Sequence, residues 1–141
     1  MLRDTHIREI MNKKVITLHI DEAFSHVEEK MRQNCIRHLP VVDDENKLLG
    51  IITIWDFYRA YTPHKTETGD YYDQEAMDRI ILKHHMTPDP HTLRPDDKVA
   101  EAVQIMAEDK YSCIPIVDSE NKLVGIVTQI DILRFVSSKL L

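Results

Sequence analysis

The sequence lacks the features on which several classes of protein depend. Only three glycines occur among its 141 residues, so it has no glycine-rich loop of the kind that cradles phosphate groups. It has no run of about 18 apolar residues, so we expect no membrane span. The amino terminus has no apolar core of a signal peptide either. These absences lead us to expect a cytoplasmic protein.

Cysteine and metal-binding patterns are also sparse. The two cysteines are Cys35 and Cys113, and in a reducing compartment we expect two buried, free thiols rather than a disulfide. His84 and His85 are adjacent and therefore point to different faces of a helix, and no His-x-x-x-His spacing is present. We expect no metal. No base is paired with either thiol in the sequence, so we do not expect an enzyme.

The charge balance argues against a nucleic-acid partner. The formal net charge is −6, and an acidic surface repels phosphate backbones. Hydrophobic residues make up 43% and charged residues 30% of the chain, which is ordinary for a globular protein.

The strongest feature present is an internal repeat. Residues 39–53 recur as residues 114–128, moved by 75 positions without a gap. A gapless repeat of this length indicates two copies of one structural unit. The same register pairs Met11 with Met86, Thr17 with Thr92, Leu18 with Leu93, Asp21 with Asp96, Met31 with Met106 and Asp56 with Asp131.

Each copy has the same pattern of elements. Phe24, Val27 and Met31 recur at helical spacing, with Asp21 predicted as the N-cap in the first copy and Asp96 in the second. Two apolar runs, 39–42 and 48–54, flank a polar turn and predict an antiparallel hairpin. With an extended piece before the first helix and a second helix starting at the motif acid, the order is strand, helix, strand, strand, helix.

The repeat also divides the chain. We expect a first unit over residues 1–61, a linker over 62–74 that contains Pro63 and Gly69, and a second unit over 75–141. The second unit is expected to begin with a lead-in helix over residues 75–85.

The end of each hairpin has the pattern Gly-h-h-Thr-x-x-Asp, where h is apolar, at residues 50–56 and 125–131. One interpretation is structural, with the acid, helped by the threonine, capping the following helix. The other is functional. A carboxylate at a strand-to-helix corner is suited to accept hydrogen bonds from ribose hydroxyls, and the helix N–H groups are suited to phosphate.

On these residues each repeat resembles the CBS (cystathionine β-synthase) domain, and residues 7–136 resemble a CBS-domain pair. The most specific marks are residues 36–43 and 50–56 with their second-copy equivalents. The resemblance implies an α+β fold in which two β-α-β-β-α units pack through their sheets about a pseudo-twofold axis. It also implies two clefts between the units that bind AMP, ADP, ATP or a related adenosine ligand, in a sensor rather than a catalyst.

The resemblance carries specific roles onto this sequence. Asp56 and Asp131 match the ribose-binding acid, and Arg37 and His38 match a polar pair that faces phosphate. Arg59 and its equivalent either reach phosphate or face solvent. The implied nucleotide-binding residues are Ile16, Thr17, Arg37, His38, Pro40, Thr53, Asp56, His91, Thr92, Ser112, Cys113, Pro115, Thr128, Asp131 and Arg134.

The copies differ where phosphate is expected. Arg37 and His38 in the first copy correspond to Ser112 and Cys113 in the second. Because a charge-assisted contact is about twice as strong as a neutral one, the first copy is expected to bind the more highly charged ligand.

Two hypotheses for function follow. The first is a stand-alone regulatory module that binds an adenosine-type small molecule, forms a homodimer through its helices and signals to a separate effector protein. The alternative is a ligand-free structural or protein-interaction module that mediates oligomerisation only.

Overall fold

The computed structural model describes residues 2–109 and 111–140, so Met1, Lys110 and Leu141 lie outside the described residues. The helices are α1 (Ser25–Asn34), α2 (Ile54–Ala60), α3 (Gln74–Asp78), α4 (Val99–Asp109) and α5 (Gln129–Leu140), with 3₁₀ helices at Leu2–Asp4, Ile7–Glu9 and Leu82–His84. The strands are β1 (Leu18–His19), β2 (His38–Val42), β3 (Leu48–Thr53), β4 (His64–Thr66), β5 (Gly69–Tyr71), β6 (Thr87–Pro88), β7 (Cys113–Val117) and β8 (Leu123–Thr128).

The element order confirms the predicted α+β class and the predicted repeat. The first copy reads β1-α1-β2-β3-α2, and the second reads α4-β7-β8-α5. In the second copy an isolated parallel bridge between Leu93 and Ile116 takes the place of the first strand. The predicted apolar stripe of α1 is buried, with Phe24, Val27 and Met31 exposing 1%, 0% and 3% of their surface.

The chain forms two compact units that do not coincide with the repeats. One unit contains the chain up to Val15, Glu45–Leu48 and the chain from Pro90 onward. The other contains Ile16–Asp44 and Leu49–Asp89. We call them the outer unit and the inner unit, after the parts of the chain that form them. Each has its own cluster of buried apolar side chains.

In the outer unit, the segment that leads into the first copy packs on the hairpin of the second copy. Asn12 exchanges two backbone hydrogen bonds with Ile126, at 2.9 and 3.0 Å. A Cβ added to Gly125 would lie 2.7 Å from the sulfur of Met11. The glycine is therefore needed because the methionine crosses the strand at close range.

The inner unit contains the reciprocal arrangement. The segment that leads into the second copy forms β6, which pairs antiparallel with β3, Gly50 opposite Pro88 and Ile51 opposite Thr87. A Cβ on Gly50 would lie 2.7 Å from both the sulfur of Met86 and the carbonyl oxygen of Thr87. Each lead-in thus completes the sheet of the other copy.

The two hairpin turns meet within the outer unit through matched asparagines. Asn46 and Asn121 have left-handed backbones, with φ of 63° and 65°, a conformation that asparagine tolerates well. The side chain of Asn46 donates to the carbonyl of Leu123 at 2.9 Å, and that of Asn121 donates to the carbonyl of Leu48 at 3.1 Å. Two backbone hydrogen bonds of 3.0 Å, from Leu48 N to Asn121 O and from Leu123 N to Asn46 O, complete the symmetrical set.

The segment between the copies differs from its prediction. Residues 62–74, expected to be a linker, contain the antiparallel hairpin of β4 and β5, with His64 opposite Tyr71. The predicted helix over 75–85 is broken, because α3 ends at Asp78 and a 3₁₀ turn follows at Leu82–His84.

The predicted N-caps of the first helices are wrong. Helix α1 begins at Ser25, whose N–H donates to the carboxylate of Asp78 at 3.2 Å, so the cap comes from α3 rather than from Asp21. In the second copy the carboxylate of Asp96 forms an ion pair with Arg8. The cap of α1 and the partner of Asp96 are therefore both residues that lie far away in the sequence.

Both cysteines are free thiols, and Cys113 is buried as expected. Cys35 is exposed, because it ends α1 with a left-handed backbone of φ 53° at the surface. None of the helices in the described part of the chain is long and apolar enough to cross a bilayer.

We predict that Gly50→Ala destabilises the protein more than Gly125→Ala. At Gly50 the new methyl group meets a backbone carbonyl at 2.7 Å, whereas at Gly125 the nearest backbone atom is 3.3 Å away and the closer contacts are to a flexible methionine. Overpacking of this kind costs about 1–3 kcal/mol. Urea denaturation of both variants measures the difference, and equal midpoints for Gly50→Ala and the wild type would contradict the prediction.

Candidate functional site

The predicted binding residues of the first copy lie on or next to strands β1, β2 and β3 of the inner unit. Strand β1 runs parallel to β2, with Leu18 opposite Val41, and β3 is the other neighbour of β2 in the hairpin. Because Leu18 lies opposite Val41, Thr17 lies beside Pro40, two residues along β2 from His38. His38 begins β2 and Thr53 ends the neighbouring strand β3.

A backbone hydrogen bond joins Arg37, which precedes β2, to the strand-to-helix corner. The carbonyl of Arg37 accepts a hydrogen bond from the N–H of Ile54, the first residue of α2, at 2.9 Å. Arg37 is exposed and His38 is half-buried. Burial, together with the charge of Arg37, lowers the pKa of His38 below its usual 6.5, so the imidazole is mostly neutral at pH 7.

Thr53 and Asp56 form a capping box at the start of α2. The N–H and the hydroxyl of Thr53 both donate to Oδ2 of Asp56, at 2.8 and 3.1 Å. The N–H of Asp56 donates back to the Thr53 hydroxyl at 3.2 Å. The N-cap is therefore Thr53, and Asp56 is the third residue of the helix rather than its cap or its start.

The other oxygen of the Asp56 carboxylate has a charged partner. Oδ1 of Asp56 forms an ion pair with the guanidinium of Arg59, one helical turn later. The Asp56 side chain is 11% exposed and the Arg59 side chain is 71% exposed. The Asp56 carboxylate is therefore mostly buried at the start of α2, whereas the Arg59 side chain that pairs with it is exposed to solvent.

The backbone beside β1 is held by a lysine that the sequence analysis did not single out. The ammonium of Lys30 donates to the carbonyl of Thr17 and to Glu22, both at 2.8 Å. Burial raises the pKa of Glu22, but hydrogen bonds from His19 N–H, Lys30 and His26 outweigh it and lower the pKa to about 2. Glu22 is thus ionised and holds Lys30 against the strand.

A signal for Lys30 was present in the repeat. Its equivalent in the second copy, by the 75-residue register, is Ile105. A cation where the other copy has an apolar residue marks a position whose chemistry has changed, although the sequence alone does not reveal its partners.

The second copy builds the same arrangement within the outer unit. The N–H of Leu93 donates to the carbonyl of Pro115 at 3.2 Å, and Cys113 lies opposite Thr128. The first residue of α5, Gln129, donates from its N–H to the carbonyl of Ser112 at 3.1 Å. Because Leu93 forms a parallel bridge with Ile116, Thr92 lies beside Pro115, two residues along β7 from Cys113.

The second corner repeats the capping box. The N–H and hydroxyl of Thr128 donate to Oδ2 of Asp131 at 2.8 and 3.0 Å, and the N–H of Asp131 donates to the hydroxyl at 3.4 Å. Across residues 2–109 and 111–140, however, no ion pair joins Arg134 to Asp131. Asp56 and Asp131 therefore make the same capping-box hydrogen bonds, but among the described residues only Asp56 has an arginine partner.

The second corner is also less charged. Burial raises the pKa of Cys113 to about 12, so its thiol is neutral at pH 7, and Ser112 carries no charge. The first copy has Arg37 and His38 in these places, and the predicted difference between the copies persists in the folded chain.

The remaining predicted residues take two kinds of position. Ile16 is 36% exposed, and His91 is exposed, with its ring 6.1 Å from that of Tyr111. Pro40 and Pro115 are buried within β2 and β7, so they pack in the sheets. Within the described ranges, no three His, Cys, Asp or Glu side chains are arranged to hold a metal ion.

Comparison with known proteins identifies the repeated unit. The family description "CBS domain" matches residues 7–62 and 81–138. Homoserine O-acetyltransferase of Methanosarcina acetivorans is 33% identical over 122 residues, which are 86% of this chain and 20% of that protein. The chain spans about a fifth to a quarter of the length of the curated relatives it matches.

Solved structures match over almost the whole chain. The CBS domain pair of protein MJ0100, in complex with 5′-methylthioadenosine and S-adenosyl-L-methionine, has a TM-score of 0.78 at 30% identity. The match covers 96% of this chain and 98% of that one. CBSX2 in complex with AMP has a TM-score of 0.80 at 20% identity, covering 97% and 99% of the two chains. The likeness to CBSX2 concerns the fold alone.

Proposed function

Because this chain belongs to the CBS-domain family and contains two CBS domains, we propose that it is a regulatory module that binds an adenosine ligand at the strand-to-helix corner of each copy. The observation that carries the proposal is the duplicated corner, in which a threonine and an acid form the same capping box at the start of α2 and of α5. The adenosine ligands bound by the MJ0100 domain pair support the ligand class.

In this proposal each residue type has a chemical task. The carboxylate oxygen of Asp56 or Asp131 that is not used in the capping box accepts hydrogen bonds from ribose hydroxyls. The threonine hydroxyl, which the capping box uses, positions this acid. The backbone at Ile16 and Thr17, and at His91 and Thr92, lines the base. Arg37 and His38 contact phosphate, as Arg134 does in the second copy.

We predict that Asp56→Asn weakens ligand binding in the first copy and leaves α2 in place. Asparagine keeps an oxygen that accepts from Thr53, but it replaces the charged oxygen left for ribose with an NH2 group, which cannot accept a hydrogen bond. Trp55, the only tryptophan, precedes this acid, so its fluorescence reports on the first corner. Loss of one charged hydrogen bond corresponds to an affinity loss of about tenfold or more.

The matched control is Asp131→Asn. It is expected to remove the second binding event from the calorimetric isotherm and to leave the Trp55 titration unchanged. AMP, ADP, ATP, 5′-methylthioadenosine and S-adenosylmethionine are the ligands to titrate. If none of them changes Trp55 fluorescence or gives heat, the binding proposal is wrong, and the alternative of a ligand-free interaction module is favoured.

We propose that the first copy prefers the ligand with more negative charge. The lowered pKa of His38 means that the free protein holds this imidazole neutral, and a bound phosphate favours its protonated form. Binding of a phosphate ligand therefore takes up a proton, and affinity is expected to rise as pH falls from about 8 to about 6.

The test compares His38→Ala with Cys113→Ala across this pH range. The affinity ratio of wild type to His38→Ala for AMP is expected to increase as pH falls, since the ratio cancels the titration of the phosphate itself. The corresponding ratio for Cys113→Ala is expected to stay flat. Equal losses for the two variants, or no loss in His38→Ala, would contradict the proposed asymmetry.

We also propose that the module acts as a cytoplasmic homodimer that a separate effector protein recognises. Helices α2 and α5 expose apolar side chains at equivalent repeat positions: Trp55 by 65% and Tyr58 by 40% on α2, Ile130 by 53% and Leu133 by 62% on α5. A second copy presents the same helices and so provides a self-complementary cover. Cys113 has no catalytic role in this proposal, because burial raises its pKa to about 12 and a neutral thiol is a poor nucleophile.

We predict that Leu133→Glu converts the dimer to a monomer, because it buries a charge in an apolar interface. The matched control is Val103→Glu on α4, where a side chain that is 42% exposed receives the same charge. Sedimentation equilibrium should give a dimer for wild type and the control. A monomeric wild type, or a dimeric Leu133→Glu variant, would refute this interface.

A further inference from the structure

Asp56 and Asp131, the acids proposed to bind ribose, differ in whether Oδ1 has an ion-pair partner among the described residues. In both copies Oδ2 of the acid accepts from the threonine N–H and hydroxyl. In the first copy Oδ1 of Asp56 is paired with Arg59. Throughout the described ranges, no ion pair engages the equivalent oxygen of Asp131, although Arg134 follows it at the same spacing.

We propose that Arg59 is a latch on the first site that selects for ligands carrying a phosphate. This inference rests on the proposed function. Since Oδ2 is committed to the helix cap, Oδ1 is the oxygen left for ribose, and a ligand must displace Arg59 to reach it. The latch therefore competes with every adenosine ligand at this site.

Ligands differ in what they offer Arg59 in return. A 5′-phosphate is joined to the ribose, so it lies within a few ångströms of the hydroxyls that Asp56 holds. The Arg59 side chain is long and 71% exposed, and when released it pairs with that phosphate through its planar fork of donors. A neutral adenosine ligand, such as 5′-methylthioadenosine, displaces the arginine and gives it no new partner.

The exposure of Arg59 sets the size of the effect. Exposed ion pairs contribute modestly, so opening the latch reduces the affinity of a neutral ligand by up to about fivefold. Salt screens such a pair over about 8 Å at physiological ionic strength. Raising the salt concentration is therefore expected to increase the affinity of the first site for a neutral ligand and to decrease its affinity for AMP.

The sharpest test is Arg59→Gln, studied in the Asp131→Asn background so that the first site dominates. Trp55 fluorescence is titrated with 5′-methylthioadenosine and with AMP. The expected result differs between the two ligands: up to about a fivefold gain for 5′-methylthioadenosine, and no gain for AMP, because for AMP the lost phosphate contact offsets the lost competition. The salt-dependent gain for the neutral ligand is expected to disappear in the variant.

The charge-matched control is Arg79→Gln, which removes one exposed arginine of the same unit that is remote in sequence from the corner. It is expected to leave both affinities within twofold of the background protein. If both ligands bind but Arg59→Gln fails to strengthen binding of 5′-methylthioadenosine, the latch is refuted and the proposed function stands. If neither ligand binds wild type or Arg79→Gln, the proposed function itself is refuted.

Discussion

The strand-to-helix corner depends on the carboxylate of Asp56. One of its oxygens closes the helix cap, and under the proposed function the other binds ribose. Oδ2 of Asp56 receives both donors of Thr53, and this fixes where β3 ends and α2 begins. The same side chain is only 11% exposed, so its position is set before any ligand arrives. A group oriented by its own helix cap loses little freedom on binding. The structural and functional interpretations of the motif are therefore compatible, because each uses a different oxygen.

The repeated corner in turn depends on an exchange between the copies. The lead-in of the second copy supplies β6 to the sheet that contains β3, and Met86 covers Gly50. The lead-in of the first copy covers Gly125 in the same way. Neither copy has a complete sheet without residues that lie one repeat away in the chain. This exchange explains why the compact units cut across the repeats rather than following them.

Features that depend on short stretches of sequence were predicted correctly, whereas features that depend on contacts between distant residues were not. The 75-residue register and the hairpins were confirmed because each follows from short patterns, and the Thr-x-x-Asp motif does lie at the start of a helix, with the threonine rather than the predicted acid as its N-cap. The predicted cap at Asp21 was wrong, since the cap of α1 is Asp78, 53 positions from the residue it binds. Lys30 was missed for the same reason: its role depends on contacts with Thr17 and Glu22 that no local pattern reveals.

Duplication gives the two corners a common geometry, and substitution gives them different electrostatics. Under the proposed function, a ligand at the first corner meets Arg37 and an Arg59 that is already paired with Asp56, while Lys30 holds the backbone at Thr17. At the second corner the equivalents of Arg37 and Lys30 are Ser112 and Ile105. Because electrostatic interactions strengthen where water is partly excluded, a few such substitutions suffice to separate the ligand preferences of two folds that are otherwise alike. Under the proposed function, the first corner therefore favours anionic adenosine ligands and the second favours less charged ones.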